Sequence, residues 1–179
     1  MTLIVTSVNI ADQAILDTAN SYQTLEEANA YFDTHLYADT WSMASSTIKE
    51  RALIWATRIL DTNIEWDGIR QTETQALEWP RMNVVDRNRW IIRINVIPKQ
   101  VKWAQAELAQ LLMVENRMVE IDAKGMQELW IDRFTRFVFD KQDIKHVIPE
   151  YIVSLISQFG TYVGNEAEGS NETVQLVRG

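Results

Sequence analysis

Apolar residues recur along the chain at two different spacings. Leu25, Ala28, Phe32 and Leu36 follow a helical period, and Thr24 stands three residues before Glu27. That pair is a capping box, in which the Thr oxygen takes an orphan amide and the Glu reaches back, so the spacing predicts a helix over 24–36. Ser45 or Ser46 can cap a second helix, with Ile48, Ala52, Trp55 and Ile59 on one stripe, widened by Leu53, Ala56 and Leu60. It should end near Asp61–Thr62. The longest periodic stretch begins at Pro98, a residue that loses no needed hydrogen bond in a first helical turn. Val101, Ala104, Leu108, Leu111, Leu112, Met118 and Val119 mark its buried side, giving a helix over 98–119. A final helix follows Pro149, with Ile152, Leu155, Ile156 and Phe159 in a stripe and Gly160 and Gly164 stopping it.

Between these helices the pattern changes. Residues 2–10 are β-branched and apolar and suit a short strand. Asn63 to Arg70 reads as a loop punctuated by Gly68, and Gln71–Glu78 as a short helix closed by Pro80. Val84 and Val85, a polar turn at Asp86–Asn88, and the alternation of Trp90, Ile92, Ile94 and Val96 with Arg89, Ile91, Arg93 and Asn95 predict a β-hairpin at about 82–97. On that alternation the Trp90 ring points inward and the arginines outward. Residues 129–139 are aromatic and β-branched, which favours a strand, though their period decides nothing. The fold class is therefore mainly α: a helical bundle with a short β-hairpin over 1–160, and a flexible C-terminal arm over 161–179.

The chain has 179 residues with 46% apolar and 23% charged content, which suits a single globular domain with an arm. It has no cysteine, which excludes a disulfide framework, a thiolate metal site and a thiol nucleophile. Its two histidines, His35 and His146, are few for zinc or triad chemistry. His35 falls near the end of the first predicted helix, where the dipole favours an imidazole as a cap. Asn63, Glu65, Asp67 and Gly68 imitate the start of an EF-hand loop, but the first and last ligand places hold Asn63 and Thr74. We expect a turn there and no metal, no cofactor and no catalytic residues. The N-terminus lacks a basic region, and the longest apolar runs fall well short of the ~20 residues a membrane span needs. Folding in a cytoplasm, away from membranes, is the expectation.

Charge is unevenly placed. The net charge is −8, yet residues 1–48 hold six acids and no Lys or Arg. Between 81 and 102, Arg81, Arg87, Arg89, Arg93, Lys99 and Lys102 face one acid, Asp86, with Trp79, Trp90 and Trp103 interleaved. Cations for phosphates and rings for stacking are what single-strand binding requires. The bland alternative is a solvated or partner-facing hairpin. The remaining tryptophans, Trp41, Trp55, Trp66 and Trp130, fall mostly on apolar stripes and suit core packing.

Five blocks occur in one order: SYQTLEEANAYF (21–32), ALIWATRILD (52–61), the Trp66–Gly68 turn, QALEWPR (75–81) and IPKQVKWAQAELAQLL (97–112). Together they resemble a family of tailed-phage head-to-tail adaptor (connector) proteins, often labelled DnaT-like single-stranded DNA-binding. Where that family usually has glycine in the turn after Trp-Pro-Arg, this chain has Asn88, which tolerates the left-handed backbone. The resemblance implies a structural virion protein of the neck, assembled in the host cytoplasm. It implies a homo-oligomeric ring, by expectation a dodecamer, that joins the portal protein to the tail or tail-terminator protein and extends the channel through which packaged DNA passes. On that reading the C-terminal arm, with Tyr162, Val174, Gln175, Leu176 and Val177, engages the portal, the β-prone end adding to a partner's sheet. Arg87, Arg89 and Arg93 meet a neighbouring subunit or the DNA. The alternative is a single-stranded DNA-binding module resting on the 81–102 cluster.

Overall fold

The computed structural model describes residues 2–6, 12–118, 128–132, 135–138 and 146–163. Chain order runs α1 (Gln13–Thr18), α2 (Leu25–Phe32), α3 (Asp39–Met43), α4 (Ser46–Asn63), β1 (Ile64–Trp66), β2 (Ile69–Arg70), β3 (Arg81–Met82), α5 (Lys99–Val114), β4 (Glu128–Asp132), β5 (Thr135–Val138), α6 (Glu150–Ile156) and β6 (Gly160–Tyr162). The fold is mainly α with small antiparallel pairs. Among the described residues, no helix is long and apolar enough to cross a membrane.

α4 and α5 pack against each other, and α6 lies along α5. Leu53, Ala56, Ile59 and Leu60 of α4 meet Val101, Ala104 and Leu108 of α5, and Ile152 and Ile156 of α6 close the core. Each fully buried leucine contributes about 1.5–3 kcal/mol relative to an exposed one. The Nε2 of the buried Gln105, with two hydrogens to give, lies within hydrogen-bond distance of Ser21 Oγ at 2.7 Å, Thr57 Oγ1 at 2.8 Å and Leu53 O at 3.1 Å. It ties the segment before α2 to both central helices.

Several predicted elements form where their caps lie. The Thr24–Glu27 capping box is complete, with both bonds at 3.1 Å. Ser45 caps α4 by accepting from the Ile48 amide. Yet α2 ends at Phe32 rather than Leu36, because the Thr34 amide and hydroxyl both turn back to the Tyr31 carbonyl. α5 ends at Val114 instead of 119: Arg117 pairs with Glu115 and donates to the carbonyls of His146 and Val147, pinning the lead-in to α6. In α4, Ile48 and Trp55 point outward, and Arg58 covers the Trp55 ring at 5.6 Å. Two short helices, α1 capped by Asp12 and α3 carrying the buried Trp41, were not in the sequence reading.

Other expectations fail for tertiary reasons. Within 2–6 the strand reduces to a parallel bridge of Val5 with Ser21, and 7–10 lie outside the described residues. The Asn63–Arg70 loop is instead β1, a Gly68 turn and β2. β1 pairs antiparallel with β6, Ile64 opposite Tyr162, and β2 with β3. Gly68 has φ 75°, and a Cβ there would lie 2.2 Å from the Met82 carbonyl oxygen. Gln71–Glu78 is not helical, because the Gln75 side chain binds the Thr72 amide and the Leu77 and Pro80 carbonyls. Within 129–139, the described residues 129–132 and 135–138 are strand, β4 paired with β5, and 133, 134 and 139 lie outside the described residues. α6 stops at Ile156, and Gly160 opens β6, so the boundary set at 161 falls inside a paired strand. Gly164 lies outside the described residues.

A buried polar knot joins these pieces. Arg81 is nearly fully buried, and its Nε donates to Asp67 O at 2.7 Å. Its two terminal nitrogens reach the carbonyls of Trp66, Gly68 and Glu78, and the Glu78 carboxylate. Beside it, the half-buried Asp61 accepts from the Tyr22 hydroxyl and from the Glu78 amide at 3.2 Å. Burial pushes the Asp61 carboxyl up to about 7, and those two hydrogen bonds offset part of the rise.

Two outcomes follow. Replacing Arg81 by Leu leaves four inward carbonyls and a carboxylate without their donor, so urea denaturation should show a loss of about 3–5 kcal/mol. A loss under about 1 kcal/mol would show the knot to be dispensable. A carboxyl whose pKa rises from 3.8 to about 7 on folding stabilises the fold most below its unfolded value, and that contribution disappears as pH climbs through the folded value. Asp61→Asn should therefore flatten the decline in stability between pH 4 and 7; matching pH profiles for both proteins would refute the assignment.

Candidate functional site

Residues 83–97 leave the core as one loop. Val84 and Ile97 anchor its two ends in the core. Its tip is closed by Asp86, whose Oδ1 accepts from the amides of Asn88 at 2.8 Å and Trp90 at 2.9 Å. The Asp86 amide donates to Trp90 O and the Arg89 amide to Asp86 O, both at 2.9 Å. An Asp that binds backbone two and four residues on fixes a tight turn without a long ladder. The predicted hairpin thus shrinks to one bridge, Val85 with Ile91, and a bond from the Ile92 amide to Val84 O. The left-handed residues are Asn83 (φ 61°) and Arg89 (φ 67°), not Asn88.

The alternation of inward and outward side chains does not survive. Trp90 is 72% and Ile91 73% exposed, and Val85, Ile94 and Val96 are exposed as well, while Ile92 is half-buried. Two-residue periodicity sorts side chains only when a second strand or a core covers one face. Here nothing among the described residues covers it. Arg87, Arg89 and Arg93 are exposed beside Trp90, and none of the three is in an ion pair among the described residues. The Arg87 amide binds Gln158 Oε1 at 3.3 Å, which steadies the loop against the end of α6.

The rest of the basic cluster is dispersed. Arg81 is buried in the knot, and Lys102 is paired with Glu27 at 2.6 Å. Trp79 is buried, and Trp103 stacks on Tyr31 with centroids 6.2 Å apart. Of that cluster, Arg87, Arg89, Trp90, Arg93 and Lys99 remain exposed. Trp41 and Trp66 pack in the core as expected; the Trp130 side chain lies outside the described residues. In the EF-like segment, Glu65 sits in β1 opposite Thr161, and the Asp67 carbonyl serves Arg81. Of the arm residues, Tyr162 pairs in β6 with Ile64, and Val174, Gln175, Leu176 and Val177 lie outside the described residues.

A second feature was missed in the sequence. Glu107 lies on the buried side of α5 with 8% exposure. Its Oε1 accepts from the Tyr31 hydroxyl at 2.6 Å and meets His35 Nε2 at 3.1 Å, and its Oε2 accepts from the Tyr151 hydroxyl at 3.4 Å. His35 is therefore beyond the end of α2 and turned to a carboxylate, rather than capping the helix. Burial, then the Glu107 carboxylate, pushes the Tyr151 phenol up to about 12 and raises Tyr31 further. An open hollow of about 450 Å³ lies above, lined by His35, Tyr37, Thr40, Leu111 and Tyr151 with Glu107. The available signal was an acid set between Ala104, Leu108 and Leu111 on an otherwise apolar stripe.

If the loop's outer side chains serve an exterior role, they are separable from folding. Trp90→Ala should change stability by no more than about 0.5 kcal/mol, whereas Val84→Ala, one residue type smaller at a buried anchor, should cost about 1–2 kcal/mol. Thermal melts of both variants check this; a large loss for Trp90→Ala would place the ring in the fold's own packing.

The family described as "Putative DnaT-like ssDNA binding protein" matches residues 1–132. No curated protein matches the chain, and no solved structure does.

Proposed function

We propose that this chain, which belongs to the DnaT-like ssDNA binding protein family, is a structural virion protein: a head-to-tail adaptor whose ring joins the portal to the tail. The observation that carries the reading is the loop 83–97. It exposes Val85, Trp90, Ile91, Ile94 and Val96 around three arginines free of ion pairs among the described residues. Trp and Arg amid aliphatic side chains are what protein interfaces concentrate at their centres. Phosphate backbones offer nothing to four exposed aliphatic residues. The ordered blocks 21–112 that resemble phage adaptors, and an acidic N-terminal segment that lets DNA pass without sticking, support the same reading. In it, Arg87, Arg89 and Arg93 face a neighbouring subunit or the DNA. The chain beyond β6, with Val174, Gln175, Leu176 and Val177, reaches the portal, and Tyr162 sets the base of that arm.

Single-stranded DNA binding is the second reading, and two observations favour it. The family's description carries those words, and backs this reading more directly than the adaptor. The Trp90 ring is exposed in the same loop as the exposed Arg87, Arg89 and Arg93, which leaves a ring for stacking and cations for phosphates. Against it stands the net charge of −8.

Analytical ultracentrifugation of the chain, alone and mixed with the portal protein of the same genome, tests the choice. Co-sedimentation as a large complex is the expected result. Deleting 164–179, a cut that spares β6, should abolish that complex with an unchanged melting temperature; retained binding would remove the arm from the reading. A chain that stays small with portal, yet binds oligonucleotide with an affinity falling steeply between 50 and 200 mM salt, as expected for about six or more phosphate contacts, would transfer the function to DNA.

A further inference from the structure

The loop stands at the start of α5, and the hollow lies along its second half. The loop 83–97 runs into its first turn, and the hollow opens beside Glu107 and Gln110, whose amide donates to Tyr37 O at 2.6 Å. Lys99 and Glu107 are eight residues apart, about 12 Å along the axis at 1.5 Å per residue. Val84, Ile97 and the bond to Gln158 hold the loop at its own end. The two surfaces therefore do not meet within one molecule.

They are nonetheless complementary. Glu107 is a buried carboxylate whose partners are two phenols and an imidazole, and no Lys or Arg is in ion-pair distance of it among the described residues. A buried anion lacking a permanent cation is costly, and a cation that arrives with good geometry gains correspondingly. The hollow is lined by Glu107 together with the ring-bearing His35, Tyr37 and Tyr151. That combination suits a guanidinium, which forks onto a carboxylate and stacks on rings. One side of the hollow is α5 and Tyr151, with Arg117 near that phenol; the other side, His35, Tyr37 and Thr40, belongs to the stretch that has no Lys or Arg, in which Asp33 and Asp39 are exposed. Beside them Leu36 (82%), Tyr37 (76%) and Met43 (81%) stand in solvent. At the start of α5, the loop offers arginines without ion pairs among the described residues, flanked by exposed Trp90 and Ile91.

We propose that the hollow over Glu107 receives Arg89 from the loop of a second copy of this chain, with Trp90 and Ile91 covering Leu36 and Met43. Each copy gives a loop and receives one through a different surface. Such a head-to-tail contact closes into a ring when the rotation allows. This rests on the adaptor reading's premise that copies associate, and names the partner surfaces.

The absence of cysteine makes a direct test available. Asn88→Cys and Ser42→Cys flank the contact without removing Arg89 or the hollow's lining. Both in one chain, treated with a short bis-maleimide, should give a ladder of covalent dimers, trimers and larger species, alone or in the portal complex. An equal mixture of the two single variants should stop at dimers. Arg89→Glu, and the isosteric Glu107→Gln with an unchanged melting temperature, should each weaken self-association by about tenfold or more, as for a desolvated charge pair. Oligomers that sediment normally but give no ladder overturn this interface and leave the adaptor reading standing. A chain that is monomeric both alone and with portal overturns both.

Discussion

The Arg81 guanidinium is the constraint around which the smaller half of the fold is arranged. Its donors meet four backbone carbonyls from β1, the Gly68 turn and the segment before β3, together with one carboxylate. A guanidinium has five N–H groups in a rigid plane and cannot shed its charge. Once buried, it demands that those carbonyls converge, and the convergence sets where β2 meets β3. It also fixes the direction in which the chain leaves β3, and so where the loop 83–97 emerges. An interaction in the interior thereby decides what is displayed outside.

The larger half depends on helix against helix, with Gln105 as its polar register. The Gln105 Nε2 finds acceptors on Ser21, Leu53 and Thr57 only in one alignment of α4, α5 and the segment before α2, since any slip would leave a buried donor unpaired. With α5 fixed in this way, it carries two separate platforms. Its first turn receives the arginine loop; its middle carries Glu107 against His35 of the α2–α3 connection. The functional geometry is thus a consequence of helix length and of where its ends are stopped, by Pro98 at one and by the Arg117 turn at the other.

Both platforms run against the ordinary economy of a folded surface. Large apolar side chains scattered singly on a surface need no explanation, but here they gather around unpaired cations at one place and exposed acids at another. Tyr31 and Tyr151 hold the Glu107 carboxylate without neutralising it. The molecule therefore pairs a well-packed core with an exterior on which large apolar and charged side chains stay exposed.

Local chemistry was legible in the sequence wherever the cause was local. The Thr24–Glu27 box, the Ser45 cap and the Pro98 and Pro149 starts arise from groups within a turn of one another and form as read, whereas the stripes of α4, α5 and α6 form only in part, with Ile48 and Trp55 outward and α5 and α6 stopping short. The mainly α class and the exposure of Arg87, Arg89 and Arg93 follow from the same kind of pattern. Only tertiary structure decided the rest, because the deciding partner is distant in sequence. β1 finds β6 far along the chain, Gln75 spends its amide on a turn, and Arg117 ends α5 to hold His146 and Val147. Arg81 looked like one more surface cation until carbonyls from elsewhere surrounded it. Trp90 looked like a core residue because alternation says which side chains share a face, and not whether anything covers that face.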